Sequence, residues 1–146
     1  MRIVLQRVTQ ASVQVDGEIV GQINHGLLAL VGVGHGDDEA SAKWLADKSV
    51  DLRIFEDENG KMNHSLIDVE GSVLVVSQFT LLGDCRKGRR PAFTDAGPPE
   101  EARRLYLHYA KCIADRGVQV QHGIFAADMK VSLVNDGPVT MIIDRD

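Results

Sequence analysis

Apolar residues in this chain fall mostly into short, β-branched runs, and only two windows carry the wider spacing of an amphipathic helix. The strongest run is Val73-Leu74-Val75-Val76, entered from Glu70-Gly71-Ser72 and continued by Ser77-Gln78-Phe79-Thr80-Leu81-Leu82. Its length, branching and flanks predict a buried strand. Ser77, Gln78 and Thr80 at its end need hydrogen-bond partners, either among core neighbours or as a pocket floor at a strand end. Arg2 to Val8 has strand composition, and Ala11 to Val15 and Glu18 to Ile23 flank Asp16-Gly17, a dipeptide suited to a tight hairpin turn. The chain is therefore expected to open with antiparallel strands. Gly26 to Val33 is a short, glycine-bounded apolar run and reads as a further buried strand.

The first helical window runs from near Asp38 to about Val50, capped by Asp37 or Asp38, with Ala42, Leu45, Ser49 and Leu52 at helical spacing. Trp44 beside that face is expected to pack in the core. The second starts at Pro99, carries Glu100 and Glu101 at its positive end, and stripes Ala102, Leu105, Tyr106, Tyr109, Ala110 and Ile113 along one face until Gly117 stops it. Leu52 to Phe55 is a short strand candidate broken by the turn at Asp57-Glu58-Asn59-Gly60. Val118 to Gln121, Met129 to Val134 and Val139 to Ile143 read as three strands, the last two joined by Asn135-Asp136-Gly137-Pro138. Between the central strand and the second helix, Gly83 to Pro99 forms a polar loop long enough to suggest a function. Phe93 inside it serves either as a base-stacking platform or as a pin for the loop. The pattern as a whole predicts an α+β protein with a mixed or largely antiparallel sheet and two helices packed on it.

At 146 residues and 44% hydrophobic content the chain supports one core and one domain. Its apolar runs are far shorter than a membrane span, and its N-terminus lacks the pattern of a signal peptide, so a cytoplasmic location and no membrane partner are expected. Cys85 and Cys112 have no Cys-x-x-Cys spacing, and His25, His35, His64, His108 and His122 show no ligand spacing, so neither a disulfide framework nor a metal site is expected. The net charge of −5 argues against a long nucleic-acid footprint and against a DNA partner. It leaves room for contact with the end of an RNA, for which Arg86-Lys87-Gly88-Arg89-Arg90 offers a local basic patch; a solvated loop is the alternative. Gly32-Val33-Gly34-His35-Gly36 does not have the spacing of a dinucleotide loop, and no nucleophile elbow surrounds Ser77.

Two segments in order, Ser77-Gln78-Phe79-Thr80 and Asn135-Asp136-Gly137-Pro138-Val139-Thr140, resemble the signature motifs of the D-aminoacyl-tRNA deacylases, small homodimeric enzymes of translation quality control. Gln6-Arg7-Val8, Arg53-Ile54-Phe55, Gly60-Lys61-Met62-Asn63, Arg90-Pro91-Ala92-Phe93 and Phe125-Ala126-Ala127-Asp128-Met129 are also similar to family positions, so the resemblance spans nearly the whole chain. With it, the expected fold is α+β: a single deacylase domain over residues 1–146, with barrel-like mixed or largely antiparallel sheets and two main helices. The resemblance implies a homodimeric, cofactor-free hydrolase acting at the aminoacyl-tRNA acceptor end. It further implies that main-chain N–H groups of Phe79 and Thr80 steady the reacting ester, that Ser77 and Gln78 hold the terminal adenosine, and that the RNA's own 2′-hydroxyl contributes. A version with the Thr80 hydroxyl as nucleophile stays open. Gly137-Pro138 is implied to be cis and to reach into the partner's site as a chiral screen. Arg7 is the candidate for holding that segment. Phe125 and Met129 either line the same pocket or belong to a core turn. A non-catalytic tRNA-end or small-ligand binding domain, and a general esterase, are the competing functions.

Overall fold

The computed structural model describes residues 1–146. Its element order is β1 (Arg2–Val15), β2 (Glu18–Ile23), β3 (Gly26–Gly32), α1 (Glu39–Asp51), β4 (Phe55–Glu56), β5 (Met62–His64), β6 (Ser72–Ser77), a 3-10 turn (Phe79–Leu82), α2 (Pro99–Asp115), β7 (Val120–His122) and β8 (Lys130–Asp144). The main sheet runs β2-β1-β3-β6-β7, and β8 lies along the other edge of β1; β4 and β5 form a separate two-stranded sheet. Pairings through β1 are antiparallel, whereas β3–β6 and β6–β7 are parallel. The sheet is thus mixed, with α1 and α2 crossing over between its parallel strands. Asp16 and Gly17, at φ 50 and 81, make the expected hairpin turn.

Alternation along β3 and β6 divides the core in two. Leu27, Ala29, Val31, Val73 and Val75 face the helices and join Leu45, Leu105, Tyr109 and Ile113. Leu28, Leu74 and Val76 face the other way, meeting Val8, Ala11, Val13 and Ile23 inside the curl of the sheet. Burying each of these leucines stabilises the fold by about 1.5–3 kcal/mol. The curl nearly closes into a barrel: a Cβ on Gly21 of β2 would lie 2.5 Å from the His122 carbonyl of β7.

Several sequence expectations are corrected. Arg2–Val8 and Ala11–Val15 are one strand, because the exposed Thr9-Gln10 step is absorbed as a register shift against β8. Met129–Val134 and Val139–Ile143 are likewise one strand, since both halves pair with β1. β4 starts only at Phe55, and β7 covers Val120–His122. Asp38, not Asp37, caps α1 by accepting from the Ser41 N–H at 2.9 Å; Asp37 accepts instead from Gly34 N–H at 2.6 Å. Trp44 is not in the core but half exposed, with Lys48 and Arg145 over its ring.

Candidate active site

The β6 strand ends by anchoring its exit: Gln78 N–H donates to the Val31 carbonyl of β3 at 2.8 Å. The chain then tightens into the 3-10 turn, whose first i→i+3 bond runs from Leu81 N–H to the Gln78 carbonyl at 3.2 Å. The N–H groups of Phe79 and Thr80 therefore precede the helical ladder, where main-chain donors have no intrahelical acceptor. Gln78 Nε2 donates to Thr80 Oγ1 at 3.1 Å, which fixes both side chains.

These residues floor a cavity of about 520 Å³. Ser77, Gln78, Phe79 and Thr80 form one side, and Phe93, Ala96 and Gly97 of the long loop form another. Pro99 and Ala102 at the start of α2, and Phe125, Ala126, Ala127 and Met129 of the β7–β8 connection, complete it. Phe79 and Phe93 meet edge to face, with centroids 5.2 Å apart and planes at 71°. Both stay exposed, at 55% and 40%, so the pair forms a rim. Phe93 is thus pinned and at the same time presented to the cavity. Ala126 has φ 64, which turns its main chain at the opposite wall.

No lining residue ionises. Behind Phe125 lies a smaller cleft of about 260 Å³ containing His122, whose pKa is lowered by burial, and Tyr106, whose phenol burial raises. No three His, Cys, Asp or Glu side chains converge as a metal-ligand set.

Ser77, Gln78, Phe79, Thr80, Phe125 and Met129 are thus brought together. Arg7, Gly137 and Pro138 are not part of that cavity. Opposite Arg7 of β1, the β8 strand leaves its ladder between Asn135, paired with Val8, and Thr140, paired with Gln6. The intervening Asp136-Gly137-Pro138-Val139 makes an excursion with a cis Gly137-Pro138 bond. The Arg7 side chain is buried beneath it, donating from Nε to the Asp136 carbonyl at 3.2 Å and from Nη1 to the Ile54 carbonyl at 2.7 Å. Asp136 and Glu56 carboxylates lie 3.4 and 3.7 Å from the guanidinium. A Cβ at Gly137 would lie 2.8 Å from Arg7 Nη2. Asn135 closes the neck, with Nδ2 donating to the Arg7 and Val139 carbonyls, each at 3.0 Å.

Sequence reasoning missed Asn135 as a determinant, as it missed Ala96, Gly97, Ala102, Ala126 and Ala127 as walls. The Asn before an Asp-Gly-Pro turn is the one local signal that marks Asn135.

An uncharged cavity at the end of a buried strand, edged by two aromatic rings and lined by Phe79 and Thr80 ahead of the 3-10 ladder, marks the candidate site of this small α+β protein. The chain belongs to the D-Tyr-tRNA(Tyr) deacylase family of hydrolases, which it matches over residues 4–144. It is 63% identical over 144 residues to a D-aminoacyl-tRNA deacylase of Rhodopirellula baltica, covering 99% of each chain. It is 61% identical over 145 residues to one of Pelobacter propionicus, covering 99% of this chain and 100% of that one. The solved structure of a c-Myc DNA unwinding element binding protein superposes with a TM-score of 0.93 at 38% identity, covering 100% of this chain and 99% of that chain.

Proposed function

We propose that this protein hydrolyses the ester of D-aminoacyl-tRNA, and of mischarged glycyl-tRNA, releasing the free amino acid and intact tRNA in the cytoplasm. The observation that carries this reading is the cavity joining Ser77-Gln78-Phe79-Thr80 to Phe125 and Met129, in a chain about 60% identical to D-aminoacyl-tRNA deacylases. The terminal adenosine sits against Ser77, Gln78, Phe125 and Met129, in a pocket whose walls are apolar and whose polar groups are few. The ester carbonyl points at the Phe79 and Thr80 N–H groups, which steady the tetrahedral oxyanion as it forms. An aminoacyl ester with a neighbouring ribose hydroxyl is already labile, so positioning and oxyanion stabilisation suffice without an activated side chain.

Chiral selection comes from a second copy of the chain. Gly137 and Pro138 stand outside the cavity of their own chain, on an excursion gripped by Arg7 and Asn135. β8 has one edge without a strand partner over Lys130–Asp144 and exposes Val134 and, at 68%, Ile142. A long apolar edge of this kind invites pairing with another chain. In a homodimer formed there, the main chain of Gly137-Pro138 enters the partner's cavity and crowds the side-chain position of an L-residue. A thousandfold preference requires about 4 kcal/mol, which a rigid clash supplies.

The test is to charge one tRNA separately with D-tyrosine and L-tyrosine and follow deacylation with and without chelator. Rapid loss of the D-ester alone, unaffected by chelator, is the expected result. Loss of both esters identifies a general esterase, and ligand-dependent stabilisation without cleavage identifies a binding domain.

A further inference from the structure

We infer that Lys87, Arg89, Arg90 and Arg103 form a phosphate-binding rim that holds the RNA strand and stem leading into the cavity; this rests on the deacylase reading above. Of its sixteen Lys and Arg residues, eleven have a partner. Arg2, Arg7, Lys43, Arg86, Arg104, Lys111, Arg116 and Lys130 pair with carboxylates. Lys48 and Arg145 lie over Trp44, and Arg53 bonds Asn63. The side chains without a partner are Lys61, Lys87, Arg89, Arg90 and Arg103. All of these except Lys61 lie on the two segments that rim the cavity.

The placement is structural as well as sequential. Asp84 and Ala92 exchange both main-chain hydrogen bonds, at 2.7 and 2.9 Å, closing off the loop tip that carries Lys87, Arg89 and Arg90. The next residue, Phe93, stacks on Phe79 and lines the cavity, so the tip stands at a fixed station beside the cavity mouth. Asp84 takes Arg86 for itself, binding it through both carboxylate oxygens, and leaves the other three cations free. Arg103 follows Ala102, a cavity wall, and lines the adjoining cleft behind Phe125. Asp95 and Glu100 share these segments but do not pair with the four. In a chain of net charge −5, a set of exposed, unspent cations around one uncharged cavity is the footprint expected for a polyanion that enters it end first. An RNA with a single-stranded 3′ end has that shape and charge. Phosphate contacts of this kind hold and orient the strand without reading its sequence.

The test uses two probes: an uncharged RNA hairpin with a single-stranded CCA end, and the D-tyrosyl ester of adenosine, which has no stem phosphates. Affinity of the full-length protein for the hairpin is measured against salt, then repeated with the Lys87→Gln, Arg89→Gln, Arg90→Gln triple variant and with Arg103→Gln. The triple variant is expected to lose roughly ten- to a hundredfold in affinity and about 2–3 from the slope of log K against log salt, and Arg103→Gln about 1, from lost counterion release. Arg89→Lys, which keeps the charge, should keep the slope. Hydrolysis of the adenosine ester should continue at the wild-type rate in all of them. Wild-type hairpin affinity and slope in the variants would overturn the inference, as would a parallel loss of adenosine-ester hydrolysis, which would make the loop a support for the cavity. If the wild-type protein cleaves neither D-tyrosyl-tRNA nor the adenosine ester, the deacylase reading falls, and hairpin binding still decides the rim.

Discussion

Arg7 and Asp136 are joined by a hydrogen bond from the guanidinium Nε to the main-chain carbonyl, 3.2 Å long and reaching across 129 positions of sequence. A second arm of the same guanidinium takes the Ile54 carbonyl at 2.7 Å, so one buried side chain ties the β8 excursion to the segment before β4. The planar fork makes both bonds at fixed angles, which a lysine cannot do. The excursion that carries Gly137 and Pro138 therefore has a rigid base.

Removing that base should loosen both fold and selectivity. Arg7→Ala strands the buried Ile54 carbonyl, at a cost of about 1–3 kcal/mol by urea unfolding, and releases the part-buried Asp136 carbonyl. The ratio of D-tyrosyl- to L-tyrosyl-tRNA hydrolysis should fall with it. Arg7→Lys should keep more stability and still lose much of the ratio; a variant that keeps the full ratio would detach Arg7 from chiral selection.

The oxyanion role proposed for the 3-10 turn can be tested by deleting one N–H. Gln78 has φ −145 and ψ 89, outside the helical region that a following proline disfavours, and a modest opening of ψ accommodates Phe79→Pro. It should lower kcat by about 10²–10³, the usual effect of losing one oxyanion donor. Phe79→Ala removes the ring but keeps the N–H, and should retain most of kcat. Thr80→Ala likewise keeps its N–H and should retain appreciable activity; complete loss would revive the nucleophile version.

The pH dependence follows from the wall of the cavity. Its lining residues carry no ionisable side chain, and His122 behind Phe125 has its pKa lowered by burial, which keeps the ring neutral as pH falls through its ordinary value. After correction for spontaneous hydrolysis, which hydroxide accelerates, kcat should show no inflection between about pH 5.5 and 8.5, where histidine ordinarily titrates. A bell-shaped profile would expose a general acid or base that the cavity does not contain. His122→Gln should leave the profile in place.

The proposal that the site is shared between two copies makes a prediction about mixtures. Gly137→Ala puts a Cβ 2.8 Å from Arg7 Nη2 at φ 118, where side chains are strained, so the screen should be displaced. Phe79→Pro disables the other half. In hybrid dimers of the two variants, one site combines both defects and the other has neither, so D-selective activity should return when the two are co-expressed with separable tags. If each chain screens its own cavity, no hybrid site is whole and selectivity stays lost.

The parts of this molecule governed by local chemistry were legible in the sequence. Asp16-Gly17 had to turn, Pro99-Glu100-Glu101 had to start a helix, and Val73–Val76 had to be buried. The parts set by distant partners were not. Thr9-Gln10 and Asn135-Asp136-Gly137-Pro138 look like breaks between strands, yet β1 and β8 pair on both sides of each, so the ladders run through. Trp44 has the residue type of a core, but Lys48 and Arg145 hold it at the surface. At the site, Ser77 to Thr80 carry polar groups that announce a need for partners. Ala96, Gly97, Ala102, Ala126 and Ala127 contribute space instead, and empty volume has no signature in a sequence.

Rejection by main chain has a consequence for the smallest amino acid. The proposed screen of Gly137 and Pro138 would act on what an L-residue places at its Cβ, and would make no bond to any particular side chain. D-residues of every kind would pass it because their side chains point elsewhere. Glycine has no Cβ on either side and offers nothing to reject. Glycyl-tRNA should therefore be cleaved at measurable rate, with L-alanyl-tRNA, which differs by one methyl at the screened position, spared by a wide margin under the same enzyme concentration. Since a methyl in an accepting pocket changes binding by only about 1–3 kcal/mol, a larger alanine-to-glycine gap is the mark of a rigid clash. Complete protection of glycyl-tRNA at high enzyme concentration would require the site to demand a positive contact from the D-side chain, and exclusion alone would no longer account for its selectivity.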